Sequence, residues 1–269
     1  MLMSLLESAV YRATGINPES DGIKWYSVLF FELFAQYDNF RNHTIYDGVL
    51  LPADGPVLFV GNHTSMFDTA KGYRIAQRSG RIPRTFTRES LLDPTKPEPA
   101  SVLERTGRKK DILNSSPMWV RRIIAALPAG VEAISVSRGG GRKESNELLQ
   151  RVRAQFEARR LVALFVQETR NKEGQLTNLM RGAGLLAKNN PDVPIFPVGI
   201  TVRKPHRATV GEPFTYNQML SDPEFAELTR TNFTVLIGDK IARLLDEPEE
   251  IDWQEVQRPI LLAPKRKIP

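Results

Sequence analysis

Within the first 17 residues the apolar positions fall at Leu2, Leu5, Leu6, Ala9 and Val10, which is helical spacing. A second stretch, residues 25–37 (WYSVLFFELFAQY), is almost continuously apolar, with Glu32 inside it. It falls well short of the roughly 20 apolar residues that a membrane span requires. Two readings are open for it. It is a helix buried in a core, or one lying in a lipid interface with Trp25, Tyr26 and its phenylalanines at headgroup depth. After it the pattern changes. Residues 57–60 (VLFV), 131–136 and 161–166 (LVALFV) read as strands, and 84–87 is a further candidate. Residues 193–200 (VPIFPVGI) have strand character, but their two prolines predict an irregular or edge position. Helices are expected over 69–78, 118–127, 144–160, 182–189 and 231–245, the second stopping at Pro128. Residues 93–100 (DPTKPEPA) carry three prolines and predict a loop.

Strands alternating with helices predict an α/β fold, with a mostly parallel central sheet flanked by helices and an N-terminal helical segment. No internal repeat and no Pro/Gly/Ser linker divides the chain. Residues 1–40 read as the N-terminal helical segment, a candidate for a membrane interface. Residues 41–269 read as one α/β domain, with a basic insertion over 93–120 that contains Arg105, Arg108, Lys109 and Lys110. The N-terminus lacks the basic lead and unbroken apolar stretch of a secretion signal. A soluble or peripheral protein is therefore expected.

Composition narrows the chemistry. Hydrophobic residues make up 41% and charged residues 25%, an ordinary globular balance. There is no cysteine, which excludes disulfide scaffolds, iron–sulfur clusters, cysteine-ligated zinc and thiol nucleophiles. The three histidines are His43, His63 and His206, so an all-histidine metal site would consume every one of them. With 37 basic and 31 acidic residues the net charge is +6. This is either a mildly basic surface or the complement of an anionic partner: phosphate, a membrane surface or nucleic acid. Nucleic acid is disfavoured, because there is no zinc finger, no RNP-like strand and no dense Lys/Arg tail.

Ligands of parallel sheets bind beyond the carboxyl ends of the strands. Two polar clusters fall there. In Gly61-Asn62-His63-Thr64-Ser65-Met66-Phe67-Asp68, a histidine and an aspartate five apart follow a buried strand. At a strand-to-helix turn the carboxylate can fold back on the imidazole, fix its tautomer and support a general base. The alternative is a capped helix, with Asn62, Thr64 or Ser65 as N-cap and Asp68 in the first turn. The second cluster is Gln167-Glu168-Thr169-Arg170, where a guanidinium matches an oxyanion; its alternative is a solvated loop with a Glu–Arg pair. Arg138 ends a third strand and precedes three glycines, which read as a flexible turn. The His43–Asp47 segment has a similar spacing but follows no buried strand, and is read as surface. His206 sits in a basic loop with no carboxylate near it in sequence. No Gly-x-Ser-x-Gly elbow is present, which counts against an α/β-hydrolase.

In combination these segments resemble the PlsC-like glycerolipid acyltransferase family, which includes 1-acylglycerol-3-phosphate acyltransferases. Four blocks match in order over roughly residues 24–202. They are Leu51-Pro52 with Gly55–Val60 leading into Asn62-His63-x4-Asp68; residues 131–138 ending in Arg138; Phe165–Arg170 with Gly174 and Arg181-Gly182-Ala183; and Val193-Pro194-Ile195-Phe196-Pro197-Val198. The resemblance implies that His63, oriented by Asp68, deprotonates an acceptor hydroxyl. The alkoxide then attacks an acyl thioester of CoA or acyl carrier protein. Arg138, Gln167, Glu168, Thr169 and Arg170 would bind the acceptor and its phosphate. It implies a lysolipid or other glycerolipid acceptor, no metal or organic cofactor, and a cytoplasmic protein peripheral to the inner membrane face. The third block departs from the family's usual Phe-Pro-Glu-Gly-Thr-Arg. Gln167 stands in place of Glu, and Glu168 in place of Gly. That departure admits other acceptors (glycerol 3-phosphate, another lysophospholipid or a glycolipid) or a non-catalytic lipid-binding member. The basic insertion is either a solvated loop or a docking site for an acidic carrier or anionic headgroups.

Overall fold

The computed structural model describes residues 2–14, 23–65, 67–93, 95, 118–136, 141–167, 170, 176 and 179–245. Two helices open the chain: α1 (Leu2–Thr14) and α2 (Trp25–Asn42). Then follow β1 (Ile45–Gly48), β2 (Val57–Gly61), α3 (Asp68–Gln77), β3 (Arg84–Arg88), α4 (Glu89–Leu92), α5 (Met118–Ala129) and β4 (Ile134–Val136). The second half holds α6 (Arg142–Glu157), β5 (Leu161–Phe165), α7 (Gly182–Asn189), β6 (Ile195–Ile200), β7 (Arg207–Val210), α8 (Tyr216–Ser221) and α9 (Ala226–Ala242). The seven strands form one sheet in the order β1-β7-β6-β2-β5-β3-β4. Every neighbouring pair is parallel except β6–β7. This is the expected α/β architecture.

β2 is buried at all five positions, as an apolar run with helices over both sheet faces must be. Leu58 and Val60 face one core with Val162 and Ile195, under α7 and α9. Val57 and Phe59 face the other, with Ile75 and Ala76 of α3 and Phe196 and Val198 of β6. Each fully buried Val, Leu, Ile or Phe contributes about 1.5–3 kcal/mol. A third cluster joins Val10 and Tyr11 of α1, Val28 and Ala35 of α2, and Ala70 and Tyr73 of α3. It fastens the N-terminal helices to the helix that follows β2.

Three elements depart from expectation. β6 is neither irregular nor at an edge: it lies between β7 and β2 and is buried throughout. Its proline is tolerated by an offset in register. Val198 lies opposite Val210, whereas Ile195 lies opposite Phe214, so β6 advances three residues while its neighbour advances four. Pro197 falls inside that bulge, where the antiparallel ladder is interrupted and its missing N–H is not needed. α5 runs one residue past Pro128 and ends at Ala129. The late helix starts earlier than 231, because α9 joins two segments across a non-helical Asn232 (φ −152°, ψ 66°). Nearly all of the basic insertion, 94 and 96–117, lies outside the described residues.

Close packing of β6 against the chain after α9 makes one position intolerant of a side chain. A Cβ on Gly199 would lie 2.7 Å from Leu244 Cβ and 3.0 Å from its carbonyl oxygen. Gly199→Ala is expected to cost about 1–3 kcal/mol, the usual range for overpacking. Urea unfolding would show this as a lower midpoint at unchanged slope; an unchanged midpoint would mean that the 243–245 segment yields freely.

Candidate active site

The site forms where three parallel strands end together. Gly61 of β2 is in register with Phe165 of β5 on one side and Val198 of β6 on the other. Asn62, directly after β2, is fully buried and ties two of these ends together. Its Oδ1 accepts from the Ile200 N–H at 2.7 Å, and its Nδ2 donates to the Ile200 carbonyl at 2.9 Å. The next residue is held from the other side. The backbone N–H of His63 donates to Oε1 of buried Gln167 at 2.9 Å, a bond between chain segments 104 residues apart. The His63 ring lies flat on Phe165, with centroids 4.3 Å apart and planes 8° apart.

Residues 63–65 then gather around the first residue of α3. His63 Nδ1 lies 3.0 Å from Asp68 Oδ2. That oxygen also accepts from the backbone N–H groups of Thr64 at 2.5 Å and Ser65 at 2.7 Å. The other oxygen, Oδ1, accepts from the Thr64 hydroxyl at 2.9 Å and the Ser65 hydroxyl at 3.0 Å. Asp68 has no exposed surface, whereas the His63 side chain retains 19%. Burial pushes the Asp68 carboxyl up. The hydrogen bonds from His63 and the Ser65 amide, with the Lys71 ammonium, outweigh that and hold it below its ordinary range. Its place at the start of α3 adds the favourable end of the helix dipole.

An ionised carboxylate on Nδ1 assigns the proton to that nitrogen and leaves Nε2 as the acceptor. The arrangement is a partly exposed imidazole in one tautomer, backed by a buried anion. It can take a proton from a hydroxyl and stabilise the resulting imidazolium. Of the capped-helix alternative only the place of Asp68 in the first turn is realised: the N-cap is Phe67, without a side-chain cap bond, and Ser65 Oγ accepts from its N–H at 3.1 Å.

Of the residues singled out from sequence, the fold brings together His63, Asp68 and Gln167, with Gln167 acting on the His63 backbone. Arg170 is exposed. Arg138, Glu168 and Thr169 lie outside the described residues. His43 caps α2 in the left-handed region (φ 49°), and Asp47 pairs with Arg207 at 3.4 Å, so the second His-x3-Asp segment forms no dyad. Among the described residues there is no cluster of three metal-ligating side chains. Sequence reading missed the roles of Phe165, Asp38 and Lys71. An acid directly after the apolar stretch 25–37, and a lysine three residues after Asp68, were the available signals.

The depressed Asp68 pKa fixes the sign of a stability effect. Its contribution is present above the ordinary carboxylate value, about 4, and is lost as pH falls through the lower folded-state value. The melting-temperature gap between wild type and Asp68→Asn is therefore expected to be widest above about pH 4 and to narrow below it. A gap that stays constant into strong acid would show that the carboxylate's charge contributes nothing.

No protein-family model matches the chain, and no curated protein matches it. Among solved structures it is similar to the crystal structure of the 1-acyl-sn-glycerophosphate (LPA) acyltransferase PlsC from Thermotoga maritima. The identity is 13%, the TM-score 0.48, and the match covers 82% of this chain and 78% of that one. A likeness this distant leaves the chemistry to be read from the chain's own residues.

Proposed function

We propose that this protein is an O-acyltransferase that moves a fatty acyl group from a thioester to a glycerolipid-type acceptor. The observation that carries the reading is the His63–Asp68 pair at the shared carboxyl ends of β2, β5 and β6, in a chain with no serine elbow and no cysteine. Such a pair serves direct transfer, without an acyl-enzyme. His63 Nε2 takes the proton of an acceptor hydroxyl as its oxygen attacks the thioester carbonyl. Asp68 stabilises the imidazolium. The tetrahedral intermediate collapses, the C–S bond breaks, and the leaving thiolate takes the proton from His63. The products are an ester and a free thiol. The donor is an acyl-CoA or acyl carrier protein thioester, and the preferred acceptor is 1-acylglycerol 3-phosphate. Arg170 and Arg138 are assigned to the acceptor's phosphate, and Glu168 and Thr169 to the rest of its polar group. Gln167, whose side chain is engaged with the His63 backbone, is a neutral substitute for the glutamate of the family pattern and widens the acceptors to be tested.

An apolar surface beside the dyad supports a lipid substrate. Tyr26, Phe30, Leu33, Tyr37 and Phe40 recur along one face of α2, all exposed, with Phe40 at 82%. No helix among the described residues is long and apolar enough to cross a membrane. Phe30 stacks on Phe34, and Phe34 and Tyr37 pack on Phe67, within the loop that carries His63. The aromatic face thus leads from solvent to the dyad. It suits peripheral contact with a bilayer, proposed here to be the cytoplasmic face of the inner membrane.

Two measurements test the reading. Purified protein is given a palmitoyl or oleoyl thioester and a panel of lysophosphatidic acid, glycerol 3-phosphate, lysophospholipids and a glycolipid. One acceptor is expected to be acylated, and His63→Ala to lower that rate by about 10²–10⁴-fold, the usual worth of a general base. A folded protein that acylates none, yet binds lipid, would instead be a non-catalytic lipid-binding protein. Separately, Leu33→Glu with Phe40→Glu is expected to abolish most co-sedimentation with liposomes while leaving the melting temperature within a degree or so, because both side chains are exposed. Undiminished co-sedimentation would remove α2 from the membrane contact.

A further inference from the structure

Behind the dyad lies a second pair of charges that the transfer reaction does not use. Lys71, one turn beyond Asp68 on α3, has no exposed side-chain surface, and neither has Asp38 on α2. The Lys71 ammonium donates to Asp38 Oδ1 at 3.2 Å and stands 4.0 Å from Asp68 Oδ1. Asp38 accepts in addition from Asn42 Nδ2 at 2.7 Å and from the Thr44 hydroxyl at 3.1 Å. The charges alternate: carboxylate, ammonium, carboxylate, and then the imidazolium that forms at His63.

We propose that Lys71 and Asp38 are positioning residues that together set the charge on Asp68 and, through it, the basicity of His63. The catalytic meaning rests on the acyl-transfer reading; the charge coupling does not. Two carboxylates in one dry site cannot both stay ionised unless a cation lies between them. Lys71 is that cation. If it is removed, one carboxylate takes up a proton. Asp38, left with two donors, takes it in preference to Asp68, which keeps the Thr64 and Ser65 donors and His63. With Asp38 neutral, the Asp68 carboxylate is left without its ammonium and the field at His63 becomes more negative. Removing Asp38 alone has the opposite effect, because an unbalanced ammonium then faces Asp68. A role in packing alone predicts no such pair of signs.

Other titratable groups face this cluster, and His206 responds to the same two charges. His206, from the turn between β6 and β7, has a buried Nδ1 with no hydrogen-bond partner. Burial, and then the field of Lys71, hold its pKa below the ordinary histidine value, with Lys204 acting in the same sense and Asp38 and Asp68 in the opposite one. Arg74 of α3, paired with Glu32 of α2 at 2.9 Å, lies along the same helix interface.

The test is an NMR titration of the His63 ring in the full chain, with its signal assigned by loss in His63→Gln. Lys71→Met is expected to raise the midpoint by about one pH unit and Asp38→Asn to lower it by a similar amount, with the double variant close to Lys71→Met because position 38 is neutral in both. The double variant removes the buried pair as a unit, and so keeps the test available if Lys71→Met does not fold. In that event Asp38→Asn must still lie below wild type and below the double variant. Midpoints within about 0.2 units of wild type in folded variants, or shifts of one sign in both singles, would overturn the proposal. Where the wild type transfers acyl groups, the acid limb of its pH–rate profile is expected to move with the NMR midpoint. If it acylates nothing, the transfer reading fails while the titration still decides the coupling.

Discussion

Asp68 sits where water does not reach, and a carboxylate stays charged there only because the protein supplies what water would. Two backbone amides, two hydroxyls and the His63 ring surround its oxygens within 3.0 Å, and an ammonium stands behind it. Removing those partners would leave a desolvated anion, which is among the costlier things a fold can contain. The loop 63–65 has its shape because Asp68 draws its donors inward, and the same grip orients the imidazole. The charge of Asp68, the tautomer of His63 and the start of α3 are therefore one structural event.

That event is anchored to the sheet at two points. Asn62 completes the pairing of β2 with β6 by bonding to both backbone groups of Ile200, and Gln167 carries the hold across to β5. Both are buried polar side chains that bond to backbone, which is how a core tolerates them. The stacked Phe165 ring then limits the imidazole to one plane. A strand end by itself is a mobile place. Three strand ends tied to one another make a rigid edge on which a base can be held.

α2 serves two surroundings at once. Val28, Ala35 and Asp38 turn inward, while Tyr26, Leu33, Tyr37 and Phe40 turn outward. Of the two readings of this stretch from sequence, the core helix describes its inward face; the outward face is exposed and aromatic. Its inward face adds charge as well as apolar contact, through Asp38 to Lys71 and Glu32 to Arg74. The helix that presents aromatics to the surroundings thus shares its ion pairs with the helix that begins at Asp68.

Local pattern was enough to find β2 and β5 as buried runs, α7 over 182–189, and a histidine and aspartate spaced to meet at a strand-to-helix turn. These depend on neighbours in sequence, through side-chain periodicity and the reach of one loop. β6 was misplaced because two prolines argue against an interior strand, and only the register offset against β7 shows where Pro197 fits. The bond from His63 to Gln167 spans 104 residues, Lys71 meets Asp38 across 33, and His206 meets Lys71, Asp38 and Asp68 only in space. None of these has a local signature. Whether a charge is buried, and which charge faces it, is decided when helices and strand ends pack, because the cost of desolvation depends on every element that closes over the site and not on the residues beside it in the chain.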